Sequence, residues 1–193
     1  MNTYHFSDIA EANEFWGWPA PEHPLLSVVS VEPRNRKAIA TPITISDDFY
    51  SISLKTIISG EILYGRTKYD FKKGTMLFKG PRQKLVLKDI SISSRSRSIA
   101  FHEDFIKGHD IRHRLKKSGG QASPYGFFSY STNEALHLSP KEEQLVESIM
   151  DNIETEYHNN QDEFSKEIIL SQIDTLLKYA NRFYLDNVKL GRL

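Results

Sequence analysis

Gly60–Gln83, GEILYGRTKYDFKKGTMLFKGPRQ, reads as strand, turn, strand. Ile62, Leu63 and Tyr64 open an apolar run, and Lys68–Phe71 (KYDF) continues it past Gly65. Lys72, Lys73 and Gly74 signal a turn, because glycine takes the positive φ of tight turns without a Cβ clash. Met76, Leu77 and Phe78 form a second run. Gly80 and Pro81 close it, since proline has no N–H to give a sheet ladder. Two short strands about a glycine turn, stopped by proline, describe one corner of a small antiparallel barrel.

The flanking sequence extends this pattern. Ser27–Val31 (SVVSV) is rich in β-branched residues and reads as a first strand. Phe49–Ile58 alternates: Tyr50, Ile52, Leu54, Thr56 and Ile58 share one face, and Phe49, Ser51, Ser53, Lys55 and Ile57 the other. Leu85–Leu87 and Ile99–Phe101 are further strands, with a polar, exposed stretch over Ser91–Ser98. Residues 33–48, with Pro33 and Pro42, read as a polar connection. Short strands between turn signals favour an antiparallel sandwich or barrel over a βαβ plan. Before the strands, Ser7 is placed to cap a short helix over IAEANEFW, which Trp18–Pro21 breaks. Asp104 is placed to cap another, to about Lys107.

Two helices finish the chain. Ser139 is the N-cap of the first, Pro140 its first helical residue, and Glu142 completes a capping box. Leu145, Val146, Ile149, Ile153 and Tyr157 form one apolar stripe. After a turn at Asn159–Gln161, with Asn160 and Glu163 as possible caps, Phe164, Ile168, Ile169, Ile173, Leu176, Leu177, Ala180 and Phe183 form a broader one. The pair is an αα-hairpin with apolar surface for the barrel, for itself and for a second subunit. Leu145, Ile149, Ile153, Ile169, Ile173, Leu176 and Phe183 are the dimerisation candidates. The expected division is a sensor barrel over residues 1–138 and a dimerisation hairpin over residues 139–188.

The 193 residues suit one domain, or one with an appendage. With 25 basic and 25 acidic side chains the net charge is zero, unlike a non-specific nucleic-acid binder. The charge is uneven: Arg82–Lys117 carries ten Lys/Arg against four Asp/Glu, and Ser139–Glu167 two against nine. The segments read as oppositely charged solvated faces or as partners in a contact. The absence of cysteine excludes disulfides, thiolate metal sites and cysteine catalysis. No secretory signal or membrane-length apolar run is visible, so a cytoplasmic protein is expected.

Catalytic signatures are missing. There is no GxSxG, P-loop or GxGxxG. No His-x-His marks a metal-binding barrel strand. His109 and His113 have ligand-like i, i+4 spacing, but HDIRH lacks the glutamate of a zinc-protease helix and reads as solvated basic surface. No cofactor and no metal are expected, and the chain is not read as an enzyme. A small barrel can enclose one ligand between aromatic and polar side chains. Tyr50, Tyr64, Tyr69, Phe78 and Gln83 are the ligand candidates. Each reads equally as a core or rim residue, because bulges shift strand facing.

Tyr69, Phe71, Gly74, Phe78, Pro81 and Gln83 sit in a pattern similar to that of the sensor domains of AraC-type transcription regulators. His23–Leu25 resembles the entry to that barrel, and Phe101–Phe105 its strand-to-helix junction. Phe127–Tyr130 with Asn133–Ser139 is similar to a segment preceding the dimer helices in such regulators of Bacteroidetes type. The resemblance runs from about Pro21 to Tyr184. It implies a mixed, mainly β fold: a cupin-like (double-stranded β-helix) antiparallel barrel followed by a C-terminal αα-hairpin. It implies a small-molecule effector, a homodimer through the C-terminal helices, and DNA binding by helix-turn-helix motifs beyond these residues. No nucleic acid or membrane is then expected as a partner of this chain alone. The alternatives are a metal-dependent, isomerase-like cupin enzyme and a stand-alone dimerising regulator without ligand.

Overall fold

The strands expected around residues 60–83 form, but they do not pair with each other across the glycine turn. A computed structural model of the chain describes residues 2–31, 42–55, 57–64, 67–68, 74–92, 96–116, 125–128, 135–159 and 162–189. In chain order the elements are β1 (Asn2–Phe6), α1 (Ile9–Trp16), β2 (Leu26–Val31), β3 (Ile43–Asp47), β4 (Tyr50–Lys55), β5 (Ile57–Tyr64) and β6 (Thr67–Lys68). There follow β7 (Thr75–Lys79), β8 (Leu85–Ile92), β9 (Ser96–Phe101), α2 (Asp110–Leu115), β10 (Leu136–His137), α3 (Pro140–His158) and α4 (Ser165–Lys189).

The strands divide into two five-stranded sheets. The first has the order β1-β3-β8-β5-β6 and the second β10-β7-β4-β9-β2. Among the described residues every strand pairing is antiparallel except β1 on β3. β5 and β7, read as one hairpin, lie in different sheets: β5 pairs with β6 and β8, β7 with β4 and β10. Gly74 holds φ +74°, as its turn requires. The run Phe49–Ile58 is divided too, since β4 and β5 belong to opposite sheets. Gly60, at φ +97°, lies at a register shift between β5 and β8. A Cβ there would lie 2.4 Å from the Asp89 carbonyl oxygen, so glycine is needed.

Three local expectations are corrected. The segment read as a polar connection holds β3, whose five residues are all buried. Ser96 and Ser98, read as exposed, are buried at 1% and 7% exposure because β9 is the penultimate strand of its sheet. Asp8, not Ser7, caps α1, its carboxylate accepting from the Ala10 and Glu11 amides.

Helices α2, α3 and α4 pack as a layer on the second sheet, whereas α1 packs with β1 and the first sheet. Leu26, Val28, Ile52, Met76, Ile99 and Phe101 on that side join Ile111 of α2, the buried stripe of α3 and that of α4 in one cluster. The sheet's other side contributes Leu77 and Ala100 to a second cluster with Phe6, Ile9, Ile43, Ile45, Ile62, Leu85 and Leu87. The order is first sheet, second sheet, helices, and the second sheet is buried on both faces. Arg97 of β9 fastens α3, donating to the Glu147 carbonyl at 3.3 Å and pairing with Asp151 and Glu154. This is one in-chain contact between the basic and acidic segments. The Tyr157 hydroxyl donates to the Leu26 carbonyl at 3.3 Å and accepts the Glu22 amide at 2.6 Å. At the far end, the Asn187 side-chain amide donates to the His137 carbonyl at 3.1 Å.

Candidate functional site

The two sheets meet through unlike faces. On the second sheet, Lys79, Ser51, Ala100 and Ser27 are successive cross-strand neighbours, and so are Leu77, Ser53, Ser98 and Val29. Strand alternation puts both rows on the side of Leu77 and Ala100, facing the first sheet. The wall is built largely of serine and alanine. The Ser53 and Ser98 hydroxyls are 3.0 Å apart and hydrogen-bonded. Opposite stand Ile43, Ile45, Ile62, Leu85 and Leu87, all bulky and buried. A hydroxyl wall thus faces an aliphatic one. At one side of the site, Asn13 of α1 donates its amide to the Ser27 hydroxyl at 2.9 Å and to the Pro19 carbonyl at 2.8 Å.

A buried ion pair crosses the gap. Lys79 of β7 meets the Asp47 Oδ2 of β3, and the two side chains are 5% and 6% exposed. Burial lowers the Lys79 ammonium below its ordinary value, and Asp47 pulls back part of that shift. Burial likewise raises the Asp47 carboxyl, against the opposing pull of Lys79, His5 and the nearby Phe49 backbone. The Phe49 ring lies 5.8 Å from the ammonium. Among the described residues Asp47 Oδ1 and Ser96 Oγ are buried with no hydrogen-bond partner. The next residue, Asp48, points outward: Arg82 Nε donates to it at 3.0 Å and His5 Nε2 lies at 3.3 Å. Those contacts, Arg82 foremost, lower its pKa. Neither Lys79 nor Asp47 was singled out from sequence. The available signal was parity with Leu77, which gives Lys79 a two-residue step along an inward face.

The sequence-predicted ligand residues do not gather here. Tyr50 and Phe78 lie on the helix-facing side of the second sheet. Tyr50 stacks on Phe101 at 5.4 Å and meets Phe128 edge-on at 5.5 Å. Phe78 packs on Phe127 at 4.3 Å and Phe128 at 5.4 Å. Both are core residues, 8% and 2% exposed. Gln83 has spent its amide on the backbone, accepting from Gly80 N–H at 2.6 Å and donating to the Phe128 carbonyl at 2.6 Å. It anchors the turn after β7. Tyr64 ends β5, paired with Leu85, but its side chain lies outside the described residues, as does the whole of Tyr69.

The dimerisation stripe is used up within the chain. Ile149, Ile153, Ile169, Ile173, Leu176 and Phe183 are between 0% and 6% exposed, and Leu145 is half-buried against the same cluster. The two helices close on each other and on the sheet, leaving no such face for a partner. Among the described residues, the large apolar side chains that remain exposed are Phe164, Ile168, Leu185 and Val188, on or beside α4.

The histidine pair is explained locally. His109 caps α2, its Nδ1 accepting the Ile111 amide at 3.3 Å, and His113 is exposed. Among the described residues no three His, Cys, Asp or Glu side chains cluster as a metal site. No helix among them is long and apolar enough to cross a membrane.

No protein-family model matches the chain. No curated protein matches it either. Among solved structures, the AraC-like transcriptional activator CuxR is similar at 14% identity over 69% of this chain and 42% of that one, with a TM-score of 0.42. The apo form of a ToxT variant from Vibrio cholerae is similar at 13% identity over 88% of this chain and 58% of that one, with a TM-score of 0.46. This chain spans less than two thirds of the length of either.

Proposed function

We propose that the chain is the effector-sensing and dimerisation part of an AraC-type transcription regulator, with residues 1–138 as the sensor and residues 139–188 as the hairpin that pairs subunits. One observation carries the reading: the second sheet has a hydroxyl wall on one side and the helical hairpin on the other. A small molecule between the sheets touches strands whose opposite faces support α3 and α4. It alters the pairing of subunits only by binding one arrangement more tightly than the other. The effector site is then the inter-sheet face, with Ser27, Ser51, Ser53, Ser98, Asp47 and Lys79, and with Tyr64 and Tyr69 still candidates. The dimer forms through the outer face of α4, around Phe164, Ile168, Leu185 and Val188. In the whole regulator, helix-turn-helix motifs outside these residues bind DNA.

Native mass spectrometry of the purified chain tests this directly. The expected species is a metal-free dimer carrying a small organic adduct. A monomer loaded with a stoichiometric divalent metal would overturn the reading in favour of a cupin enzyme.

A further inference from the structure

Asp47 and Lys79 are close to neutral as a pair, and nearly every hydrogen-bonding capacity they have left points to one kind of ligand. An ammonium has three donors, and among the described residues only Asp47 Oδ2 takes one. Among the described residues none donates a hydrogen bond to the buried Asp47 Oδ1. A buried carboxylate oxygen without a donor is costly, and a ligand that supplies one relieves that cost. An anionic ligand beside the pair would leave an uncompensated negative charge in the interior, and a cationic one a positive charge. The walls add a second requirement. Ser51 lies beside Lys79 across the strands, while Ile45 and Leu85 stand on the aliphatic side.

We propose that the Asp47–Lys79 pair is the polar end of the inter-sheet site and binds the head group of a neutral amphipathic molecule. That head group offers a donor to Asp47 Oδ1 and an adjacent acceptor to Lys79, as a carboxamide does. The apolar body lies along Ile45 and Leu85. The inference rests on the reading of the inter-sheet space as the effector site and adds its ligand class.

Three isosteric probes of different charge provide the test: benzamide, benzoate and benzamidine, titrated by saturation-transfer NMR against the chain and its Asp47→Asn variant. Benzamide is expected to bind the unaltered chain at least about tenfold more tightly than either ion, the ratio one charge-assisted hydrogen bond supplies. Asp47→Asn leaves the ammonium unneutralised, so benzoate should become the preferred probe. If Asp47→Asn does not fold, the double variant Asp47→Asn/Lys79→Met, free of buried charge, is read instead, and benzamide should lose about tenfold in it. Equal affinities for the three probes overturn the neutral-ligand proposal but leave the sensor reading standing. So does a benzamide or benzoate affinity that the variants do not move. Failure of all three probes to bind counts against both.

Discussion

Lys79 sits between Phe78 and Gly80 in a stretch that ends in a turn, where a lysine reads as solvent-facing. Its burial is set by its parity with Leu77 and by the neighbouring sheet, neither of which a local reading of a five-residue strand resolves. Asp47 was hidden by its context, a Thr/Ser/Asp-rich segment after Pro42 that has the composition of a loop. Together the two residues join β3 to β7 across the sheets. Removing one member of such a pair strands the other charge in the interior. Lys79→Met is therefore expected to cost about 3–5 kcal/mol in urea denaturation, and Lys79→Met/Asp47→Leu to recover most of it. A double variant as unstable as the single one would show that the charges are not coupled. Gln83 teaches the converse. Its place after Gly80-Pro81 made it look available to a ligand, but Gly80 lets the Phe128 carbonyl within 3.0 Å of where a Cβ would be, and the Gln83 amide closes that contact.

Among the elements, the long helices were the most legible. The Ser139 capping box is present in full, with Ser139 N–H donating to Glu142 at 2.7 Å, because a cap depends on four neighbouring residues and nothing else. The start of α4 was legible only to within a few residues: Asp162, rather than Glu163, accepts the Phe164 and Ser165 amides at 2.8 and 3.0 Å. In β4 the alternation was read correctly, but not which side faces the other sheet. Tyr50, Ile52 and Leu54 turn to the helices and Ser51 and Ser53 to the first sheet, a choice the sequence reading left open. Alternation separates core from solvent in a sheet with one wet face, and this sheet has none. The link between α2 and α4 was invisible for another reason, the 60 residues that separate its ends. Arg114 pairs with Asp174, and Lys178 holds the other carboxylate oxygen at 2.7 Å. Desolvation is the largest influence on Asp174 and raises its pKa, yet Lys178 and Arg114 together outweigh it and the net shift is downward from 3.8. The unfolded chain then binds this proton more readily than the folded one. The stability that Asp174 contributes is complete above its ordinary value and is lost as pH falls through the folded one. The urea midpoint should fall more steeply below about pH 4 in the unaltered chain than in Asp174→Asn. Parallel profiles would remove Asp174 from that account.

At the scale of the molecule, the sequence suggested strands followed by a helical hairpin, and that order is present in a mixed, sheet-rich architecture. It did not show β1, which is mostly exposed and pairs in parallel with a strand some forty residues away. Nor did it separate the apolar residues that hold the hairpin to the sheet from those facing outward, because one broad stripe on α4 contains both. Ile168 is 42% exposed and Leu176 is 0% exposed. Two charge substitutions distinguish them. Leu176→Asp buries an unpaired carboxylate at the centre of the cluster and is expected to cost more than about 4 kcal/mol, with loss of helical circular dichroism. Ile168→Asp should leave the dichroism intact and shift the mass in light scattering from dimer to monomer. A dimer that survives Ile168→Asp would exclude this part of α4 as the interface.

The double-sided burial of the second sheet also bears on how such a protein can change over time. Ser27, Ser51, Ser53 and Ser98 alternate along their strands with the residues that α3 and α4 rest on, such as Leu26, Ile52 and Ile99. Neighbouring positions within each strand therefore meet different physical demands. The serines can be exchanged for other small side chains, remodelling what the interior accepts, while every residue beneath the helices stays as it is. On the proposed function, recognition and assembly would share the same few strands and could still drift apart one residue at a time.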